Sequence, residues 1–402
     1  MMPKLSRKSL SRHFEENGDR YLLLFVCCYL VFQAFNQFLH YTHLRGMVWI
    51  VFSRGFLAVL ALLAGIVVLK RKPITALAFE GAFAVLLLCT YFWGSPYPDF
   101  KSFSFNLLVI YIPMGLSFYC VESDTRILDY LYFSSWIIEI ICIVTAFLAM
   151  SAGYSSTMSA CLLVPILVKL DRFNVSRKWY DLLMVLLDLM AIFLGGSRGP
   201  FLCVAVFLLI MLISNDRLSV GKRISIIALL IVLAALLYAV YPSLVALGEP
   251  LIERFDIQSR TLKLLLSGAI GYDSGHIPLW RYFLGKIRES PLIGYGVTGS
   301  WDFVSSSSNH SYPHNIVLEL LMAFGIPIGT LLTLLIGAIA VRGLTQKNPK
   351  KRRIASIFVA NLAHLLWSGS LFTTPLFFVG MASCLRPERK GEGEAAAPQQ
   401  EE

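Results

Sequence analysis

His314 stands in the stretch YPHNIVLELLMAFGIPIG, where it precedes an apolar run of Ile316, Val317, Leu320, Leu321 and Phe324 that has Glu319 as its polar member. This spacing predicts a helix that starts near His314 and turns at Gly325 and Pro327. The positive end of a helix dipole favours a neutral imidazole, the form a general base needs. The plainer alternative is an interfacial or helix-capping histidine. Arg198 lies in GGSRGP, among Gly195, Gly196, Gly199 and Pro200, which bend the chain and leave its backbone open. A guanidinium fork grips phosphate through two parallel hydrogen bonds, so the chemistry suggested is capture of a lipid diphosphate. The alternative is an arginine that snorkels to lipid headgroups. Arg254, Arg260 and Arg281 add candidate phosphate donors, of which one or two at most are expected to matter.

An apolar scaffold must carry these residues. The chain has 402 residues, 56% of them apolar and 15% charged, and its mean hydropathy is +0.67. Soluble domains run at about 45–50% and about 25%. A water-soluble globule, a disordered chain and a disulfide-stapled secreted domain are thereby excluded. The reading is an all-α polytopic membrane protein with about twelve transmembrane helices and one long extracytoplasmic loop containing short helices. Apolar spans fall near 21–39, 47–69, 75–93, 104–120, 127–150, 157–170, 179–196, 200–214, 224–247, 326–341, 354–372 and 375–385, several of them short against the 20 or so residues a bilayer crossing requires. The last is short enough to be re-entrant.

Basic residues orient the spans. With the N-terminus inside, the inner segments collect 25 of the 35 Lys and Arg, and the short outer loops hold only Arg45, Lys101 and Arg198. The positive-inside rule therefore places both termini in the cytoplasm. The net charge of +10 is a membrane-topology signal and calls for no nucleic-acid partner. The organisation expected is a cytoplasmic leader (1–20), nine spans (21–247), an extracytoplasmic loop (248–313), an interfacial helix with three more spans (314–385), and a disordered cytoplasmic tail (386–402). Within the loop, Leu279, Trp280, Phe283, Leu284 and Ile287 recur at helical spacing, which predicts an amphipathic surface helix over 278–289. Pro291, Gly294 and Gly296 break it, and 297–313 is a Ser-, Gly- and aromatic-rich stretch with the character of a lid.

Arg54, Glu80, Glu139, Asp188 and His364 fall inside spans. A pairing of Arg54 with Glu80 or Glu139 would satisfy them structurally, and a proton-coupled transporter is the alternative. The eight cysteines lie in or at the ends of apolar spans without a CxxC pair, and read as small hydrophobes. No GxxxxGK[ST], HExxH or DxD occurs, so the parts for ATP hydrolysis, zinc proteolysis and metal-held nucleotide sugars are missing.

Over residues 191–329 the chain resembles the bacterial O-antigen ligase and O-antigen polymerase (Wzy-type) superfamily of membrane glycosyltransferases. Gly196-Ser197-Arg198-Gly199, the stretch Trp280 to Gly296 (WRYFLGKIRESPLIGYG), and His314-Asn315 followed by Glu319, Gly325 and Gly329 carry the resemblance. It implies a metal- and cofactor-independent inverting enzyme in the bacterial inner membrane, acting on the extracytoplasmic side. The implied donor is a glycan on undecaprenyl diphosphate, the acceptor a sugar hydroxyl on a glycan or lipid-linked chain, and a chain-length regulator is a further expected partner. Arg198 and a second loop arginine would bind the diphosphate, and His314 would orient or deprotonate the acceptor, with Asn315, Glu319 and Trp280 as loop support. One departure stands out. The family's second arginine lies in a Ser-Gly-Arg stretch four residues before the tryptophan, whereas here Ser274-Gly275 is followed by His276. Arg281 is the preferred substitute, His276 the alternative and Arg260 the reserve. The YPHN spelling favours a repeat-unit polymerase over a ligase. A lipid-oligosaccharide flippase, which would be expected to carry an internal repeat, is the non-enzyme alternative.

Overall fold

The computed structural model describes residues 7–44, 46–93, 100–148, 156–194, 196–214, 219–225, 228, 264, 267, 275–297, 299–303 and 312–387. Among them the secondary structure is helical throughout, with no strand. The principal helices are α1 (Arg7–Tyr41), α2 (Met47–Arg71), α3 (Pro73–Trp93), α4 (Phe100–Asn106), α5 (Ile112–Cys120), α6 (Asp124–Leu148), α7 (Ser156–Ser176), α8 (Trp179–Leu194), α9 (Gly199–Ile213), α10 (His276–Glu289), α11 (Ile316–Leu344), α12 (Pro349–Leu362) and α13 (Pro375–Leu385). A π-turn over Leu107–Tyr111 joins α4 to α5.

Six of the described stretches are long and apolar enough to cross a membrane: Glu16–Tyr41, Met47–Arg71, Pro73–Phe92, Phe103–Cys120, Asp124–Leu148 and Ile316–Leu344. The helices α9 and α13 are apolar but shorter, and α7 carries Lys169, Asp171 and Arg172. The expected span 224–247 lies almost wholly outside the described residues. The span expected over 354–372 is instead the 14-residue α12 followed by 3-10 turns at Ala363–Leu366 and Leu371–Thr373. The expected leader is not separate from the first span, because α1 already runs from Arg7.

The described chain divides into two compact units. Unit 1 comprises 1–29, 51–131 and 276–402. Its body is α13 packed on α5, α11 and α12, and the α5–α13 approach is as close as glycine permits: a Cβ at Gly115 would lie 2.8 Å from Phe378 Cβ and 2.9 Å from its carbonyl oxygen. Small residues at such crossings let backbones meet where lipid gives no hydrophobic drive. At one end of this unit the charges are paired. Arg71 Nη1 lies 2.7 Å from Asp19, whose carboxylate also accepts from the Glu122 and Ser123 amides at 2.9 and 3.0 Å. Arg386, assigned from sequence to the tail, is buried and reaches Asp124 at 2.6 Å and the Val121 carbonyl at 2.9 Å. The packed body thus extends past residue 385.

Unit 2 comprises 30–50 and 132–275, with α7 packed on α8 and α9. Lys169, counted from sequence among the inner-loop cations, has a fully buried side chain 3.2 Å from Glu139 and 3.8 Å from Asp181. Its ammonium sits 3.0 Å from the Trp136 ring centroid, and Tyr132 donates to Asp181 at 2.9 Å. A charge buried this deeply is tolerated only when paired. Glu139 therefore has Lys169 as its cation, the partner sequence had sought in Arg54, which is exposed. Moving Lys169 out of the inner tally leaves the basic asymmetry intact.

Candidate functional site

The candidate site in unit 1 is built on a broken helix. α11 is interrupted at Gly325, whose φ of 73° and ψ of 173° lie outside helical space, and Pro327 follows two residues later. In a straight helix Leu320 and Gly329 would be roughly 13 Å apart, yet a Cβ on Gly329 would fall 2.7 Å from the Leu320 carbonyl oxygen. The short first half, 316–324, therefore folds back against the start of the second.

Such a break frees backbone groups that must find partners away from water. The Met322 carbonyl loses the Ile326 amide, and the Ala323 carbonyl faces Pro327, which has no N–H to give. The loop after α10 supplies what is missing. Tyr295 N donates to Met322 O at 2.8 Å, Gly296 N donates to Ala323 O at 3.0 Å, and Ile326 N donates to Pro291 O at 2.7 Å. This is the structural task of SPLIGYG: the loop completes the hydrogen bonding of the re-entrant turn. Contact is so close that a Cβ at Gly294 (φ 74°) would lie 2.6 Å from Gly325 N and from Met322 O. A Cβ at Gly325 would run into the Leu292 carbonyl. Gly325→Ala should accordingly destabilise the protein by about 2 kcal/mol or more, from left-handed backbone strain plus a clash with main chain. Gly337→Ala, where a Cβ meets nothing within 4 Å, should be neutral, and thermal unfolding in detergent checks the pair.

α10 is the amphipathic helix anticipated from periodicity. Leu279, Phe283 and Ile287 are buried with Met322, and Leu318 and Leu321 pack against them, so its apolar face meets the folded-back half of α11. This arrangement presents the histidine. Trp280 Nε1 donates to the Pro313 carbonyl at 3.0 Å. Asn315 caps α11, accepting from Val317 N and Leu318 N at 3.0 and 3.1 Å, and its Nδ2 donates to the Leu366 carbonyl at 2.8 Å. Between these anchors His314 has a φ of 51°, a left-handed conformation that costs a non-glycine residue roughly 1–2 kcal/mol. The capping role belongs to Asn315, so His314 is not an N-cap. Its ring centroid lies 4.2 Å from that of Tyr312 and 6.0 Å from that of His276.

Below it, the carboxylate of Glu319 is buried and accepts from the Ser370 hydroxyl and, at 2.9 Å, from the Leu371 amide. Ser370 and the carbonyl of Leu366 are support groups that sequence reasoning missed. The signal for them was the SGSLFTTP cluster, whose Ser, Gly and Thr residues interrupt an otherwise apolar run.

The structure thus brings His276, Trp280, His314, Asn315 and Glu319 together in unit 1. Arg281 is exposed on α10, about 100° around the helix from Trp280. Arg198 belongs to unit 2, half-buried at the N-cap position of α9 without a side-chain capping bond. Arg260 and Arg254 lie outside the described residues. Unit 1 also contains a cavity of about 590 Å³ lined almost wholly by apolar groups from α3, α5, α11 and α13, among them Phe79, Phe83, Leu335, Ile336 and Phe378, with Leu320 and Phe324 of the folded-back half and Arg342 also in its lining. Its chemistry suits a hydrocarbon chain.

Trp280, His314, Asn315, Glu319 and Gly325 now stand as parts of one built site, and Arg198 shares their stretch of sequence. Residues 183–334 match the O-antigen ligase family model. The match bears out the resemblance carried by Arg198, the Trp280–Gly296 stretch and His314, all of which fall within it. It supports a membrane glycosyltransferase of the ligase or polymerase type, with lipid-linked glycan substrates. Together with the apolar helices it fits a bacterial inner-membrane protein. No curated protein matches the chain.

Proposed function

We propose that this chain is an extracytoplasmic glycosyltransferase that moves an oligosaccharide from undecaprenyl diphosphate to an acceptor sugar hydroxyl, polymerising repeat units of an O-antigen, capsule or exopolysaccharide. The acceptor oxygen attacks the anomeric carbon, the bond from that carbon to the diphosphate breaks with inversion, and undecaprenyl diphosphate leaves. His314 takes the hydroxyl proton, while Arg198 and Arg281 hold the diphosphate and offset the charge that develops on it. His276 is the alternative to Arg281. The observation that carries this reading is the backbone of His314. A histidine kept at φ 51° between two anchored neighbours is strain that functional sites commonly retain.

A second reading, transfer of finished polysaccharide to a lipid A core, is favoured by the description of the matched family as an O-antigen ligase. Reconstitution with an undecaprenyl-diphosphate oligosaccharide separates the two: a ladder of chain lengths supports the polymerase, and transfer to added lipid A core without laddering supports the ligase.

The reading requires the site to face outward on about twelve spans. In a background without native cysteines, Ser305→Cys should be labelled in intact spheroplasts by an impermeant thiol reagent, and Lys347→Cys should be protected. The reverse pattern would overturn the orientation and the external donor with it.

A further inference from the structure

Beside His314 runs a row of aromatic rings that the proposed chemistry does not use. The Trp301 and Tyr312 rings are stacked, 5.5 Å apart at 24°. Tyr312 lies 4.2 Å from His314, and Phe103 backs Trp301 at 6.3 Å. Trp301, Tyr312 and His314 are all half-buried, which leaves part of each accessible. Trp301 is carried on the 3-10 turn Gly299–Asp302, whose neighbour Phe303 packs at 4.8 Å on Tyr295 of the loop that completes the re-entrant turn. The stack is therefore tied to the same framework that presents the histidine. Aromatic belts at a membrane surface place single rings at headgroup level; here the rings pack on one another and reach the proposed base.

We propose that the Trp301–Tyr312 stack is the platform for the acceptor glycan, packing against the C–H face of the sugar whose hydroxyl His314 deprotonates. A pyranose has an apolar face of polarised C–H groups, and the negative face of an aromatic quadrupole attracts such positive edges. The contact orients a ring without needing a particular pattern of hydroxyls, so it suits acceptors that share a ring and differ in substituents. The proposal rests on the reading of His314 as the acceptor-side group.

The test uses the full-length protein reconstituted with donor lipid and titrated with acceptor glycan. Trp301→Ala and Tyr312→Ala should each raise the acceptor KM at least tenfold with donor binding unchanged. Trp301→Phe, which keeps an aromatic face, should recover most of that loss. Acceptor glycan added without donor should change the tryptophan fluorescence of the wild type, and Trp301→Phe should abolish the change even if an alanine variant fails to fold. If the wild type transfers glycan, but both alanine variants keep the acceptor KM within twofold and Trp301→Phe keeps the fluorescence change, the platform is overturned while the transferase reading stands. Lowered thermal stability at an unaltered acceptor KM would count the rings as an interfacial belt and overturn it equally. If the wild type transfers no glycan to any acceptor, the transferase reading itself fails.

Discussion

His314→Ala is expected to abolish detectable glycan transfer while the protein still inserts, stays folded in detergent and binds donor lipid. A general base contributes typically 10²- to 10⁴-fold, about 3–5 kcal/mol of barrier. An interfacial histidine of no catalytic consequence would leave turnover nearly intact and change stability by about 1 kcal/mol or less. The two outcomes do not overlap. The backbone supplies a sharper variant. At φ 51° glycine meets no steric penalty, so His314→Gly should fold at least as well as the wild type and still be inactive, separating loss of chemistry from loss of structure. His310→Ala, outside the resembling motif, should keep most activity. Turnover above about a tenth of wild type in His314→Ala would make a base catalyst untenable by its magnitude and leave the histidine a positioning group at most.

Arg198→Lys carries the second large effect. It keeps the charge and loses the planar fork, and should cost about 2–3 kcal/mol of transition-state stabilisation, roughly 30- to 160-fold in kcat/KM. Arg198→Ala should be worse, because the N-terminal end of α9, whose N-cap position Arg198 occupies, would keep only its partial positive charge for the diphosphate. Rate measurements at matched expression decide it. Normal polymer from Arg198→Ala would return the residue to the role of a snorkelling arginine and move the donor site to the loop cations.

Much of the scaffold was legible in the chain because its signals are local. A bilayer demands long apolar runs, and these predicted the six described membrane-length helices. The 3.6-residue recurrence of Leu279, Phe283 and Ile287 predicted α10, and Gly325 with Pro327 marked the break in α11. GSRG and HN marked the two candidate reactive groups through residue type and neighbours alone. Tertiary structure decided what closes the break, since carbonyls freed at residues 322 and 323 are answered by amides at 295 and 296, across an intervening stretch with no periodicity to read. It also decided that Lys169, counted by position as an inner-loop cation, is the buried partner of Glu139; that Arg386, read as tail, is held by Asp124; and that Trp301, Tyr312 and His314 form one row. The physical reason is common to all of these. Hydrophobic periodicity reports which face of a segment is buried, whereas the partner of a buried charge, a freed carbonyl or a ring is set by which segments meet in space, and short-range spacing carries no information about that meeting.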